Sequence, residues 1–99
     1  MYLIKQTNLF SKWLFKLKDT KGKVSVLRRI DRMKLGNFGD YKSIDNNISE
    51  LRITTGPGYR VYYTKEEDEI ILLLLGGDKS SQCDDIKKAK EILKELDNE

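Results

Sequence analysis

No histidine occurs anywhere in the 99 residues, and there is one cysteine, Cys83. Without imidazole the chain offers no Ser-His-Asp or Cys-His nucleophile, and a lone thiol makes no credible zinc site. No metal and no cofactor is therefore expected, and any catalysis would rest on Arg, Lys, Tyr or carboxylates. The single thiol cannot close an internal disulfide, which fits a reducing cytoplasm. Long apolar stretches are missing as well: Ile70 to Leu75 is the longest, at six residues, against roughly 20 for a membrane span. Met1 to Lys5 has neither the basic nor the long apolar region of a secretory leader. A cytoplasmic location with no membrane partner is expected. One proline, seven glycines and no biased tract, with 38% hydrophobic and 35% charged residues, describe a globule with one domain over residues 1–99.

Net charge is only +3, but it is unevenly spread. Residues 1–65 hold fourteen Lys and Arg against five Asp and Glu, whereas residues 66–99 hold five against eleven. A basic body suits a polyanion, because Lys and Arg gain affinity by releasing counterions condensed on phosphates. Lys-rich helix faces also serve simply as solvated surface.

Hydrophobic spacing divides the chain into elements. Tyr2 to Lys5 reads as an opening strand. Thr7 or Asn8 can cap a helix in which Leu9, Phe10, Trp13, Leu14 and Leu17 form an apolar stripe, with Trp13 as a core anchor. Lys18 to Gly22 breaks that helix. Val24, Leu27, Ile30 and Met33 resume the spacing until Gly36 stops it, which makes a two-helix hairpin. Strands then follow at Tyr41 to Ile44, at Ile48 to Ile53 and from Tyr59, with a hairpin turn at Lys65 to Asp68 and a buried strand at Ile70 to Leu75. Ser81 and Asp84 resemble a capping box for a terminal helix carrying Ile86, Ala89, Leu93 and Leu96. That helix has six acidic residues from Asp84 to Glu99 against four lysines, so it is a poor nucleic-acid contact.

Arg52 and Arg60 are the leading candidates for chemistry. They flank the Gly56-Pro57-Gly58 turn, each opposite its strand's apolar residues, so a plain hairpin projects both guanidiniums from one surface. The guanidinium fork matches phosphate oxygens. Pairing with Glu50 or Asp40 is the competing structural role. Lys79 follows two glycines and precedes a helix whose first amides can bind an anion, although Gly76-Gly77-Asp78-Lys79 could equally be a plain strand-to-helix turn. Tyr59, Tyr62 and Tyr63 add rings suited to base stacking or to the core, and of these only Tyr62 shares a face with Arg60.

Six ordered segments carry a family resemblance: Lys16-Leu17-Lys18-Asp19, Arg29-Ile30-Asp31-Arg32, Gly36-Asn37-Phe38-Gly39-Asp40, Ser49-Glu50-Leu51-Arg52-Ile53, Gly56-Pro57-Gly58-Tyr59-Arg60-Val61-Tyr62-Tyr63 and Gly76-Gly77-Asp78-Lys79-Ser80-Ser81-Gln82. Together they resemble the HigB-like, or phage Gp49-like, addiction module killer branch of the RelE/ParE toxin superfamily, over nearly the whole chain. The resemblance implies an α+β fold: an N-terminal strand and a two-helix hairpin packed on a small, mostly antiparallel sheet, with a C-terminal helix. It also implies a bacterial type II toxin neutralised by a cognate antitoxin, commonly of helix-turn-helix type, so that operator DNA is met only through the antitoxin.

Many relatives cleave mRNA, often on the ribosome, and the catalytic basic residues of RelE-type members match Arg60 and Lys79. RelE's tyrosine near the start of the last helix has no counterpart in Cys83-Asp84-Asp85-Ile86-Lys87, which leaves that role unfilled or taken by Gln82 or another tyrosine. Cleavage without histidine would use the substrate's own 2′-hydroxyl. Arg60 and Arg52 would stabilise the phosphorane at about 3 kcal/mol each, Lys79 would protonate the leaving oxygen, and Tyr62 or Glu50 would be the base. ParE-like members instead bind DNA gyrase without catalysis, and an inactive toxin retained as an antitoxin or operator-binding partner is a third reading.

Overall fold

The computed structural model describes residues 1–97. The chain opens with β1 (Leu3–Gln6) and enters α1 (Asn8–Lys16) with Thr7 as its cap: Thr7 Oγ1 accepts from the Phe10 amide at 3.1 Å and donates to the Leu74 carbonyl at 2.7 Å. The helix is therefore stapled to the sheet at its first turn. A break of three residues separates it from α2 (Thr20–Lys34), where Asp19 caps the Gly22 amide at 3.1 Å. Thr20 to Gly22, expected in the break, belong to that helix.

The buried face of α2 runs through Gly22, Val26, Ile30 and Met33, while Val24 and Leu27 lie exposed, contrary to the sequence expectation. Gly22 is the reason. It occupies a core position that no hydrophobicity count registers, because the Tyr59 ring fills the space where a side chain would stand, 2.3 Å from where its Cβ would be. Gly36, at φ 88°, ends the helix with its amide on the Met33 carbonyl, the left-handed stop that glycine adopts without steric cost.

Four further strands follow: β2 (Tyr41–Ser43), β3 (Ser49–Ile53), β4 (Tyr59–Glu67) and β5 (Ile70–Asp78). They join β1 in one sheet of order β1-β5-β4-β3-β2, in which only the β1–β5 pairing is parallel. Two strands run longer than the sequence suggests. Lys65 to Glu67 continue β4, so the turn lies at Asp68 and Glu69, and β5 carries on through Gly76 and Gly77.

Both faces of this sheet are covered. On one side α1 and α2 enclose Phe10, Val26, Met33, Leu51, Val61 and Leu73. On the other, α3 (Gln82–Asp97) lays Ile86, Ala89, Ile92 and Leu93 over Ile48, Tyr62, Leu72 and Leu74. Each fully buried apolar side chain contributes about 1.5–3 kcal/mol. Leu96, counted in the stripe from sequence, is 39% exposed at the helix end. Trp13 is half-buried against the first cluster.

A register shift interrupts the β4–β5 pairing. Tyr62 faces Leu75 and Tyr63 faces Leu73, so Leu74 is an extra residue and both Leu74 and Leu75 pack toward α3. Such an insertion re-aims every residue beyond it on the strand. Gly76 then faces α1 and Gly77 faces α3, beside Arg60.

Candidate active site

The polar centre of the molecule lies on the α3 side of the β3–β4 hairpin. Arg52 and Arg60 are direct cross-strand partners, and so are Glu50 and Tyr62, one step further along. All four side chains therefore rise from the same face. Gly56 and Gly58, at φ 58° and 83°, close the hairpin that sets this register.

Two guanidiniums face to face repel, and the fully buried Glu50 carboxylate offsets that repulsion. Its Oε2 accepts from Arg52 Nε at 3.0 Å, and its Oε1 accepts from Gln82 Nε2 at 2.7 Å. Arg60 Nε stands 3.9 Å from Oε1, close enough for Coulomb attraction but too far for a hydrogen bond. Arg60 Nε and the Tyr62 hydroxyl are both buried without a hydrogen-bond partner. Unpaired buried donors cost free energy that a native fold retains only for a reason.

The structure thus brings Arg52, Arg60, Glu50, Tyr62 and Gln82 into one cluster, with the first residue of α3 docked on it. The arginines differ in access: the Arg52 side chain is 33% exposed and that of Arg60 14%. Arg60 is not the freely exposed residue that strand alternation alone suggests, because α3 covers this face.

Tyr62 cannot be a stacking platform, since its ring is fully buried. Burial first, and then the Glu50 charge, push its hydroxyl well above the ordinary tyrosine range, so at neutral pH it stays protonated and is no base. Glu50 has both oxygens committed, one to Arg52 and one to Gln82. Tyr59 and Tyr63 are buried on the opposite face, where burial raises each hydroxyl to about 12.

Lys79 is the exposed first residue of a 3₁₀ turn (Lys79–Ser81) leading into α3. It flanks the hairpin tip, its Cβ 3.7 Å from where a Gly58 Cβ would be. The capping box is formed by Asp78 and Ser81 rather than Ser81 and Asp84, because the turn begins three residues before the helix does. Asp78 Oδ1 already accepts from the Ser80 amide at 2.9 Å, and the Ser80 contacts hold its carboxyl below the usual range. The anion at this helix start is thus the chain's own carboxylate.

The two glycines ahead of Lys79 serve packing. A Cβ on Gly76 would lie 2.1 Å from the Trp13 ring, and one on Gly77 would lie 1.9 Å from Asp85 Oδ2. Asp85 is a site residue that the sequence did not single out. Its Oδ2 lies 2.5 Å from Ser81 Oγ, and it stands over Gly77, the cross-strand partner of Arg60. Burial chiefly, with Asp78 and Asp84 nearby, raises its carboxyl above the usual range although Ser81 opposes the shift. The signal available was the four-residue spacing of Ser81 and Asp85, which stacks them on one helix face. Arg29 also escaped notice. Its guanidinium donates to the carbonyls of Arg52, Phe38 and Asp40, pinning β3 to the loop before β2.

A family model described as phage-derived protein Gp49-like (DUF891) matches residues 12–96. The chain belongs to the Gp49-like family. This family is of the RelE/ParE toxin type, as the six sequence segments imply. An uncharacterized protein of Haemophilus influenzae is 50% identical over 93 residues, covering 94% of each chain. Among solved structures, a chain of the intact E. coli RelBE toxin-antitoxin complex superposes with a TM-score of 0.53 at 13% identity, over 79% of this chain and 96% of that one. At that identity the likeness is one of fold, and it bears out the α+β architecture expected from sequence.

Proposed function

We propose that this Gp49-like protein is the toxin of a toxin-antitoxin pair and cleaves mRNA at the Arg52–Arg60 cluster. One observation carries the proposal: two cross-strand guanidiniums flank a buried carboxylate that hydrogen-bonds Arg52 and leaves Arg60 Nε unpaired. Donors fixed in advance toward a developing charge are what a pentacoordinate phosphate needs, and each commonly supplies about 3 kcal/mol. The RelBE likeness and the basic body support a small antitoxin that covers this surface, and mRNA as the substrate.

In the proposed step, the 2′-oxygen attacks the adjacent phosphorus as its proton leaves, and the P–O5′ bond breaks. Arg52 and Arg60 bind the non-bridging oxygens. Lys79, at the hairpin rim, gives a proton to the departing 5′-oxygen. With Tyr62 buried and both Glu50 oxygens committed, the proton goes to Asp85, which stands over the cross-strand partner of Arg60 with one oxygen bonded to Ser81 and whose raised carboxyl suits general-base work better than an ordinary aspartate. Where orientation falls short, the ribosome supplies it by holding the RNA in line.

The chemistry has a product signature. Incubating the purified protein with mRNA on translating ribosomes should leave 2′,3′-cyclic phosphate on upstream fragments and 5′-hydroxyl on downstream ones. Fragments with 5′-phosphate would indicate attack by water and refute this mechanism. Intact message, together with gyrase-dependent DNA breaks in cells, would favour a ParE-like action instead.

A further inference from the structure

Lys21, Ser25, Arg28 and Arg32 follow one another along α2 at intervals of four, three and four residues, and so form a single stripe about 16 Å long. The stripe faces the end of the β3–β4 hairpin, where Ser25 Oγ lies 2.9 Å from Thr55 Oγ1. Two depressions of about 230 and 340 Å³ adjoin here and share Ser25, Arg28 and Thr55. Arg32 and Thr54 line the first, Lys21 the second, and neither contains an acidic side chain. Among the described residues, Lys21, Arg28 and Arg32 enter no ion pair, whereas Lys34 on the same helix is paired with Asp31. Arg52 and Arg60 form the pair second from the turn of the same hairpin, on its other face, and Lys79 flanks its tip at Gly58. The hairpin end therefore has cations on both sides: Arg52 and Arg60 lie beside Glu50, while, among the described residues, Lys79 and the three cations of α2 enter no ion pair.

We infer that the α2 groove is a second, non-catalytic site that takes the sugar-phosphate backbone of a single RNA strand passing over the hairpin tip from the Arg52–Arg60 cluster. This rests on the cluster being a site of RNA cleavage and extends it. The lining is of the kind that binds backbone without reading sequence: three cations to release counterions, with the Thr54 hydroxyl and whichever of the bonded Ser25–Thr55 pair keeps a free hydrogen to donate to phosphate oxygens. No aromatic ring lines it, so it holds phosphates and leaves base choice to the cluster. A single strand, unlike a duplex, bends sharply enough to follow so short a turn.

The test uses a single-stranded 2′-O-methyl oligonucleotide, which has no free 2′-hydroxyl and so reports binding whether or not the protein cuts RNA. Anisotropy titrations across a salt series compare the wild type with a triple variant, Lys21→Gln, Arg28→Gln and Arg32→Gln. All three residues are exposed, so the variant should melt like the wild type. Losing three phosphate contacts should lower the slope of log K against log salt by about 2, which is roughly a hundredfold in affinity at about 0.1 M if the curves converge near 1 M. Equal slopes would overturn the inference. So would a variant that keeps its oligonucleotide affinity but no longer binds the antitoxin, since the groove would then be a protein-docking surface. A wild type that shows the predicted slope difference yet leaves RNA intact would uphold the groove and count against cleavage alone.

Discussion

At the scale of single residues, Glu50 and Arg60 cannot be judged separately. Glu50 is fully buried, and its neighbours are the only compensation for its charge. Arg60→Ala should cut RNA cleavage by about 10² to 10³ and also lower stability by about 1–3 kcal/mol, because it leaves Arg52 as the one cation beside the buried carboxylate. Adding Glu50→Gln should recover much of the stability and none of the cleavage. Thermal melting paired with a cleavage assay on the single and double variants separates the two effects, and cleavage restored in the double variant would contradict the assignment. Asp85 has its own signature in pH. Its folded value is raised, so the cleavage rate of the wild type should climb as pH rises through that value. Asp85→Asn should remove this limb and slow cleavage by about 10² or more. Asp19 behaves oppositely. The Tyr59 hydroxyl, 2.8 Å away, and the Gly22 amide lower its carboxyl below 3.8. Its contribution to stability is therefore complete above that pH and lost as pH falls through the lowered value. Melting curves of Asp19→Asn and wild type should converge on acidification, and a gap that widens would rule this linkage out.

At the scale of elements, the sharpest constraint is the fit of α1 on β5. The Trp13 ring fills the space over Gly76, so Gly76→Ala should destabilise by about 1–3 kcal/mol through overpacking. In the background of Trp13→Leu the same change should cost clearly less. Denaturant melts of the two singles and the double give that coupling directly, and additive effects would show that the ring moves aside freely. Element order and sheet composition were legible from sequence because alternation and 3.6-residue spacing are strong in these segments. The pairing of Arg52 with Arg60 was legible for the same reason, given a short Gly-Pro-Gly turn. The rotated face of α2 was not, because its first core position is a glycine. Neither was the aim of Gly77, which depends on an extra residue at Leu74 within an unbroken apolar run. Burial of the arginine face escaped as well: strand alternation shows which residues share a face, but not that α3 folds back over it.

At the scale of the whole molecule, the uneven charge of the sequence becomes a surface. The acidic excess after residue 65 lies at the β4–β5 turn and along α3, while the unpaired cations gather around the β3–β4 hairpin and α2. Among the described residues no helix is long and apolar enough to cross a membrane. An antitoxin that neutralises the protein by obstruction should place acidic or apolar residues over Arg52 and Arg60. A complex in which it docked only on the acidic helix, leaving those arginines open, would contradict that mode of inhibition. The central claim is that the Arg52–Arg60 cluster cuts RNA, and primer extension on cellular mRNA after brief expression tests it most directly. Wild type should produce new 5′ ends within minutes of growth arrest, and the stable Arg60→Ala, Glu50→Gln double variant should produce none. Arrest by the wild type with its messages intact, or the same new ends in the double variant, would contradict it.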